Sequence, residues 1–399
     1  MLIREKYLET LASYSEKPII KVLTGIRRCG KSTLLQNFAK KLIAAGVKEE
    51  QIISLNFEDL AFERLKEYHA LYEYVTSKIK DDETRYYIFL DEIQEVASFE
   101  RVVDSLHLRK NCDIYITGSN AFFMSGELAT LLSGRYIEIP IFPLSFAEFR
   151  DSYKDLSKYD LYSRYITQGA LPYLINRENS YKEIREYYGG IYNTVLLKNV
   201  VSRKRIAAPD VLEKVVKFLA GNIGSLNSTK KIADTLTSHG RKISVNTLES
   251  YIGGLVDSLL FYRASRFDIK GKEHLKTIEK YYIADLGFRN YLLNNEKSDF
   301  GFVLENVIYL ELLRRGYKVS VGKAGTQEID FVAISALGQT EYYQVALTIR
   351  DNATFEREVS VLTNVKDNFP KILLHIDPDP DSVHEGINIL NALDWLLKG

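Results

Sequence analysis

A glycine-rich loop near the start of the chain has the residue types that hold phosphate groups. GIRRCGKS, residues 25–32, matches G-x-x-x-x-G-K-[ST] at every fixed position. It follows an apolar run that predicts a strand from Pro18 to Leu23, and a helical pattern follows it. In this motif backbone N–H groups face the phosphates, the lysine bridges the β- and γ-phosphates, and the hydroxyl binds Mg²⁺. We therefore expect ATP to contact Gly25, Ile26, Arg27, Arg28, Cys29, Gly30, Lys31, Ser32 and Thr33, with Ser32 on the Mg²⁺.

Two adjacent carboxylates follow the next strongly apolar segment. The predicted strand Tyr86–Leu90 ends at Asp91 and Glu92. In this position Asp91 would hold Mg²⁺ through water, and Glu92 would orient and deprotonate the attacking water. A kinase needs no second acid here to activate water, so the pair favours hydrolysis over phosphoryl transfer to a substrate.

Two further sets of polar residues could complete such a site. A predicted strand from Asp113 to Thr117 runs into Ser119 and Asn120, either of which could touch the γ-phosphate or the attacking water. Arg135 precedes a predicted strand, Ile137–Ile141, and could stabilise transition-state charge as an arginine finger. A turn at the strand end and an ordinary surface arginine are the alternatives, and both stay open.

The order of these motifs resembles one family over nearly the whole chain. The motifs are GIRRCGKST, NFED (56–59), YYIFLDEIQEV (86–96), ITGSN (116–120), LLSGRY (131–136) and PLSFAEF (143–149). They resemble prokaryotic AAA-type (AAA_14-like) P-loop ATPases that carry a DUF4143 C-terminal region. The resemblance implies an AAA+-like three-layer α/β sandwich with a parallel sheet and a sensor residue, for which Asn120 is preferred. It also implies a finger at Arg135 that serves a neighbouring chain, and hence a homo-oligomer.

The resemblance extends to the two arginines inside the loop, Arg27 and Arg28. Two roles are open for them. They could support the phosphates with their charge, or they could form a salt bridge to a nearby acid.

Composition and charge limit the classes of partner. Lys plus Arg and Asp plus Glu both total 53, so nucleic acid would have to bind a local patch. The 2 cysteines, Cys29 and Cys112, suggest no disulfide framework and fit a cytoplasmic protein. Charged residues from Arg4 onward leave no room for a signal-peptide core, and no apolar run is long enough to span a bilayer.

The patterns after the ATPase motifs predict three further segments. An AAA+-like domain is expected over residues 1–150, and a helical lid or connector over 151–206 begins near the capping box Ser145–Glu148. Residues 207–296 read as a winged helix, with three helices followed by strands at Phe261–Arg263 and Lys280–Ile283. Residues 297–399 resemble the PD-(D/E)xK nuclease fold, and their end predicts a strand at Lys371–Ile376 and a helix at Ile387–Leu397.

The predicted winged helix has an unusual face for a DNA-binding module. Its third helix presents neutral and acidic residues, including Glu249 and Asp257, whereas phosphate contacts need Lys or Arg. Mostly non-specific contacts to the DNA backbone could come from Lys230, Lys231, Arg241, Lys242, Lys270 and Lys272. The alternative is that this module packs as a structural or oligomerisation element.

The nuclease-like segment lacks part of the expected chemistry. Glu305 and Asp330 match the metal-binding acids of that fold, but Gln344 replaces the third acid and Ala346 the lysine. An amide is a poor ligand for a hard metal, so we expect no cleavage activity. The polar groups in this segment could form a structural network or a relic nucleic-acid surface; they are Glu305, Glu328, Asp330, Gln344, Arg357 and Glu358.

Three functions are compatible with these patterns. The first is an oligomeric AAA+-type ATPase that hydrolyses Mg-ATP and acts on DNA by translocation, remodelling or junction processing. The second is a nucleotide-dependent regulatory switch whose C-terminal half binds a protein partner. The third, ranked last, is an ATP-gated, metal-dependent nuclease.

Overall fold

The computed structural model describes residues 3–119, 132, 134–175, 179–195, 200–201, 206, 208–238, 243–271, 273–294 and 300–398. The predicted site residues Asn120, Arg241, Lys242 and Lys272 lie outside these ranges. The chain divides into two compact units. The first is Met1–Ile141 with Asp257–Leu259, and the second is Phe142–Val256 with Leu260–Gly399.

The first unit is built on a parallel sheet with the strand order β2-β3-β4-β1-β5. Its strands are β1 Ile20–Thr24, β2 Ile52–Asn56, β3 Tyr86–Asp91, β4 Cys112–Gly118 and β5 Tyr136–Pro140. Its helices are α1 Glu5–Tyr14, α2 Lys31–Ala44, α3 Tyr68–Lys78 and α4 Phe99–His107.

The burial of the central strands explains why their sequences are apolar. β1, β3 and β4 are buried along their whole length, as expected for parallel strands inside an α/β protein. Because the strands are parallel, their carboxyl ends meet at one edge. Thr24, Asp91 and Gly118 end β1, β3 and β4 there, which places the loops that follow them close together.

From Phe142 onward the helices are α5 Phe146–Ser152, α6 Lys158–Gln168, α7 Tyr181–Thr194, α8 Pro209–Gly221, α9 Thr229–Ser238, α10 Val245–Asp257, α11 Leu286–Leu293, α12 Phe300–Arg314, α13 Asn352–Thr363 and α14 Ala392–Leu397. The strands are β6 Phe261–Asp268, β7 Glu273–Ile283, β8 Lys318–Ala324, β9 Gln327–Ile334, β10 Thr340–Val345, β11 Lys371–His375, β12 Ser382–His384 and β13 Ile387–Asn391. The predicted capping box is confirmed, since Ser145 and Glu148 exchange hydrogen bonds at the start of α5.

The hairpin predicted as a wing belongs to the same sheet as the C-terminal strands. The strand order is β12-β13-β11-β10-β9-β8-β6-β7, and β6 pairs with β8 in parallel, with Arg266 opposite Val321. The segments predicted as 207–296 and 297–399 are therefore joined through one sheet. The predicted domain boundaries themselves stay predictions.

The helix predicted at Ile387–Leu397 is wrong in its first half. Ile387–Asn391 forms β13, which pairs in parallel with β11, and the helix begins only at Ala392. Asn391 causes the change of structure because its side chain accepts hydrogen bonds from the N–H groups of Leu393 and Asp394. Within the part of the chain that the structure describes, no helix combines the length and apolarity needed to cross a membrane.

Candidate active site

The glycine-rich loop connects β1 to α2 in a conformation that only glycine permits at two positions. A Cβ on Gly25 would lie 2.2 Å from the carbonyl oxygen of Ile141. Gly30 adopts a left-handed conformation, with φ +104°, directly before α2. Gly30 has no side chain to cap the first N–H groups of this 14-residue helix. These N–H groups and the positive end of the helix form a donor set suited to phosphate.

Lys31 and Glu92 meet inside this loop. The Lys31 ammonium donates to the carbonyl oxygen of Gly25 at 2.9 Å and lies 3.5 Å from Glu92 Oε1. Both residues are buried, with 4% and 6% of their surface exposed. Since the same ammonium is expected to bind phosphate, its contact with Glu92 links the phosphate-binding group directly to the candidate catalytic base.

Glu92 is held by several groups. Gln94 Nε2 donates to Glu92 Oε2 at 2.5 Å, and the side chain of Ser119 also hydrogen-bonds to Glu92. Burial alone would raise the pKa of Glu92, but Lys31 and these donors outweigh burial and hold the pKa below its usual range. Glu92 is therefore ionised at neutral pH, as a proton acceptor must be.

Asp91 lies at the end of β3 beside the hydroxyl expected to bind metal. Thr117 Oγ1 donates to Asp91 Oδ1 at 2.6 Å, and Ser32 also hydrogen-bonds to this carboxylate. Burial raises the pKa of Asp91, and the two hydroxyls offset only part of that effect. An adjacent hydroxyl and carboxylate fit a hard divalent cation, so Ser32 and Asp91 could together hold Mg²⁺.

The two loop arginines differ in their surroundings. Arg27 forms a salt bridge with Glu58, which belongs to the NFED motif, so the salt-bridge role is the one the geometry shows for it. Arg28 is exposed and adopts a left-handed conformation with φ +68°. Cys29 is fully buried, and burial raises the pKa of its thiol. A buried thiol of this kind serves packing and is not a reactive nucleophile.

Ser119 is one of the two residues considered for the sensor position. It is buried and hydrogen-bonded to Glu92. Asn120, which the family resemblance favoured, lies outside the described residues. Ser119 is thus the described member of the pair that reaches the candidate base.

Arg135 lies far from the phosphate loop of its own chain. In the pairing of β5 with β1, Tyr136 is opposite Ile20 and Pro140 is opposite Thr24. Arg135 therefore sits just before β5, about 16 Å along the sheet from the edge that carries the loop. There it forms a salt bridge with Asp104 of α4 at 3.2 Å. A finger role would require the site of another chain, whereas the surface-arginine alternative needs only this salt bridge.

Two residues of the site were not identified from the sequence. Thr117 contacts Asp91 and also accepts a hydrogen bond from the N–H of Glu92 at 2.9 Å. The sequence feature that could have identified Thr117 is its position as a polar residue near the end of the buried strand β4. Gln94 belongs to the YYIFLDEIQEV motif. Its contact with Glu92 depends on the turn that follows β3, which the sequence did not predict.

The acids of the nuclease-like segment surround a lysine. Lys280 Nζ on β7 lies 2.8 Å from Glu305 Oε1, 2.8 Å from Glu328 Oε1 and 3.6 Å from Asp330 Oδ1. Burial opposes the charge of Lys280, but these carboxylates outweigh burial and raise its pKa, so it stays protonated. The described residues contain no group of three or more His, Cys, Asp and Glu placed to hold a metal ion.

The neighbouring polar groups form the structural network that was one of the two predicted alternatives. Gln344 donates to Glu358 at 2.7 Å, and its carbonyl oxygen accepts from the N–H of Asp330 at 3.3 Å. Glu358 also forms a salt bridge with Arg357 at 2.6 Å. Gln344 is therefore used in hydrogen bonding within the fold.

The nucleic-acid candidates within the described residues are exposed. Lys230 and Lys231 lie on α9, and Lys270 lies in the turn between β6 and β7. Glu249 on the outward face of α10 is engaged within the chain, since it forms a salt bridge with Arg263 of β6 at 3.1 Å. The acidic face thus contributes to packing between α10 and the sheet.

Two family models match the chain. An AAA domain (AAA_14) matches residues 17–150, and a domain of unknown function (DUF8612) matches residues 159–299. The first agrees with the predicted P-loop ATPase domain. The second stands where the DUF4143 region was expected, and it runs across the predicted boundary at residue 206.

Related proteins align with most of the chain. An uncharacterized protein of Haemophilus influenzae is 38% identical over 403 residues, which cover 100% of this chain and 99% of the relative. Uncharacterized protein MJ1544 of Methanocaldococcus jannaschii is 31% identical over 360 residues, which cover 85% and 77% of the two chains. Among solved structures, the Walker-type ATPase paby2304 of Pyrococcus abyssi shares the fold, with a TM-score of 0.52, 16% identity and coverage of 73% and 96%. This chain therefore belongs to the family of P-loop AAA-domain proteins that includes the Haemophilus influenzae protein.

Proposed function

We propose that this protein hydrolyses ATP with Mg²⁺. The observation that carries the proposal is the position of Glu92, an ionised carboxylate held beside Lys31 and next to the Ser32–Asp91 pair. A phosphate-binding loop alone would serve a kinase equally well. A buried base beside the phosphate-binding lysine supports activation of water.

Each group has a role in this scheme. Lys31 and the N–H groups at the start of α2 bind the phosphates. Ser32 and Asp91 would hold Mg²⁺, which would neutralise charge on the phosphate oxygens. When Lys31 turns to the phosphates, its contact with Glu92 is exchanged for one with ATP. Glu92 is then available to accept a proton from water.

Two substitutions separate binding from hydrolysis. Lys31→Ala should weaken binding of a fluorescent ATP analogue, whereas Glu92→Gln should bind the analogue normally and lose steady-state phosphate release. Glu95→Ala, on the exposed side of the same turn, serves as the control. Normal phosphate release by Glu92→Gln would show that Glu92 is not the base.

We further propose that the enzyme works as a homo-oligomer in which Arg135 acts on a neighbouring chain. The distance of Arg135 from its own loop supports this arrangement, since a finger in this position can act only in trans. Arg135→Ala and Lys31→Ala proteins should each be inactive alone. Mixing them should restore part of the activity, because a Lys31→Ala chain can offer Arg135 to an intact loop. No recovery in mixed oligomers would argue against the trans role.

We also propose that the protein binds DNA and uses ATP hydrolysis to act on it. The exposure of Lys230, Lys231 and Lys270 supports non-specific contacts with a phosphate backbone. ATP turnover measured with duplex, single-stranded and branched DNA at low salt should rise, and alanine at all three lysines should reduce the increase. No stimulation and no binding by any of these DNA forms would remove this part of the proposal.

Two observations support the second candidate, a nucleotide-dependent switch that binds a protein partner. Glu249 on the face of α10 is tied to Arg263, and the β6–β7 hairpin is part of the large sheet. Both features restrict docking into a DNA groove. The test uses protein from which DNA has been removed. A defined partner that binds stoichiometrically to Glu92→Gln in the presence of ATP, and does not bind without nucleotide, would favour the switch. Lys280 among the acids counts against the third candidate, a metal-dependent nuclease.

A further inference from the structure

Gln94 lies in a short turn whose position is set by the core. Ile93–Glu95 forms a 3₁₀ turn directly after Glu92. Ile93 is fully buried and Val96 is 2% exposed, so both ends of the turn are anchored by apolar packing. The backbone of Gln94 between them is thereby held in place, while Glu95 faces solvent. The backbone of Gln94 is therefore already ordered, and its hydrogen bond has to order only the rotamers of the side chain.

The two carboxylate oxygens of Glu92 have different partners. Oε1 faces the Lys31 ammonium at 3.5 Å, and Oε2 accepts the hydrogen bond from Gln94 Nε2 at 2.5 Å. Glu92 itself has a left-handed backbone, with φ 53° and ψ 47°, a conformation that is costly for a residue with a Cβ. A strained backbone directs the carboxylate only if the side chain is also held; Ser119 contributes one such contact, and Gln94 is the donor that holds Oε2.

The side-chain amide of Gln94 has one favourable orientation, with Nε2 toward Glu92. Its Oε1 is buried and has no hydrogen-bond partner within the described residues. With its oxygen toward Glu92 the amide would place two acceptors together. The orientation with Nε2 toward the carboxylate is therefore the stable one, and it is unavailable to glutamate at this position.

We propose that Gln94 is a positioning residue for hydrolysis: it fixes Oε2 of Glu92 so that Oε1 is the oxygen that accepts the proton of the attacking water. This inference rests on the proposed ATP hydrolysis. Lys31 leaves Oε1 when it engages the phosphates, whereas the bond from Gln94 stays in place through the step. Glu92 Oε1 takes the proton as the water oxygen bonds to the γ-phosphorus and the bond to ADP breaks.

The test compares Gln94→Ala, Gln94→Glu and Gln94→Met with wild type in steady-state ATP hydrolysis. We expect kcat to fall at least tenfold in each, with KM for ATP and the Kd of a fluorescent ATP analogue within twofold. Gln94→Glu should be the slowest because its charge repels Glu92. A fall in kcat with KM and Kd unchanged is a split that a purely structural role would not give.

The controls separate this inference from the proposed function. Glu95→Ala, one residue further on the same turn, should match wild type in kcat and in KM for ATP. Gln94→Met keeps the length of the side chain, so it covers the case in which Gln94→Ala does not fold. If wild type hydrolyses ATP and the Gln94 variants retain kcat within twofold, this inference alone is overturned. Wild type without ATP turnover would overturn the proposed function and this inference with it.

Discussion

Replacing Lys280 with methionine removes a buried charge while keeping most of the side-chain volume. Lys280 lies 2.8 Å from both Glu305 and Glu328 and 3.6 Å from Asp330, and only 3% of its side chain is exposed. Glu305 also accepts a hydrogen bond from Tyr282 at 2.6 Å. The change leaves acids without their cation in the interior of the large sheet.

The expected cost follows from this geometry. Breaking a buried ion pair by removing one partner typically destabilises a fold by about 3–5 kcal/mol, because the remaining charge is buried without compensation. Burial and the charge of Glu305 already raise the pKa of Asp330 well above its usual range with Lys280 in place. Part of the cost is therefore recovered at low pH, where the orphaned acids take up protons.

Urea unfolding followed by circular dichroism measures this loss at pH 7. The matched control is Lys323→Met on β8, whose side chain is 35% exposed and whose salt bridge to Asp268 spans 3.5 Å. An exposed pair of this kind contributes about 0–1 kcal/mol. If Lys280→Met does not fold, Glu305→Gln, which removes one acid instead of the cation, should cost less than the lysine change.

A loss below about 1 kcal/mol for Lys280→Met, equal to that of the control, would refute the reasoning. It would mean that the acids are solvated or protonated and do not depend on the lysine. Cleavage of plasmid DNA with Mg²⁺ or Mn²⁺ that disappears in Asp330→Ala would contradict the same picture from its functional side.

Three further predictions concern the rest of the chain. Thr117→Val keeps the shape of the side chain but loses its hydrogen bonds to Asp91 and Glu92, and steady-state kcat for ATP should fall roughly tenfold. Gly25→Ala should raise the Kd of a fluorescent ATP analogue more than tenfold, since its Cβ would lie 2.2 Å from a carbonyl oxygen, whereas Gly190→Ala, with nothing within 4 Å, should leave it unchanged. Burial raises the pKa of Asp285 from an ordinary 3.8 to about 6, so the stability that its neutral form contributes is complete below 3.8 and is lost as pH rises through 6. The unfolding free energy of wild type minus that of Asp285→Asn should fall by about 2 kcal/mol between pH 4 and pH 7.5 in urea titrations, and a constant difference would contradict the assignment.

The phosphate loop and the Asp91–Glu92 pair were predictable because their chemistry is local in sequence. Eight consecutive residues form the loop, and the strand before it and the helix after it follow from apolar periodicity. Once the sheet is predicted to be parallel, it follows that the carboxyl ends of β1, β3 and β4 lie at one edge. Thr117 and Gln94 escaped prediction because single polar residues near strand ends are common and most of them are only turns.

The error at residues 387–391 has a similar origin. The run INILNALDWLL contains apolar residues spaced for either a strand or a helix, and a short run of this kind does not distinguish the two. Pairing of Ile387–Asn391 with β11 decides for the strand, and that partner lies in a different part of the chain.

The amino-acid sequence by itself predicted the P-loop AAA domain, together with a candidate base and a candidate metal-binding acid. Those features depend on neighbouring residues and on backbone preferences that act over a few positions. Tertiary structure decided which distant strands and charged side chains come together. It paired Arg27 with Glu58, kept Arg135 away from its own loop, joined β6 to β8, and set Lys280 among Glu305, Glu328 and Asp330. The physical reason is that a charged side chain pairs with whichever opposite charge the fold brings within a few ångströms, and sequence spacing carries no record of that distance.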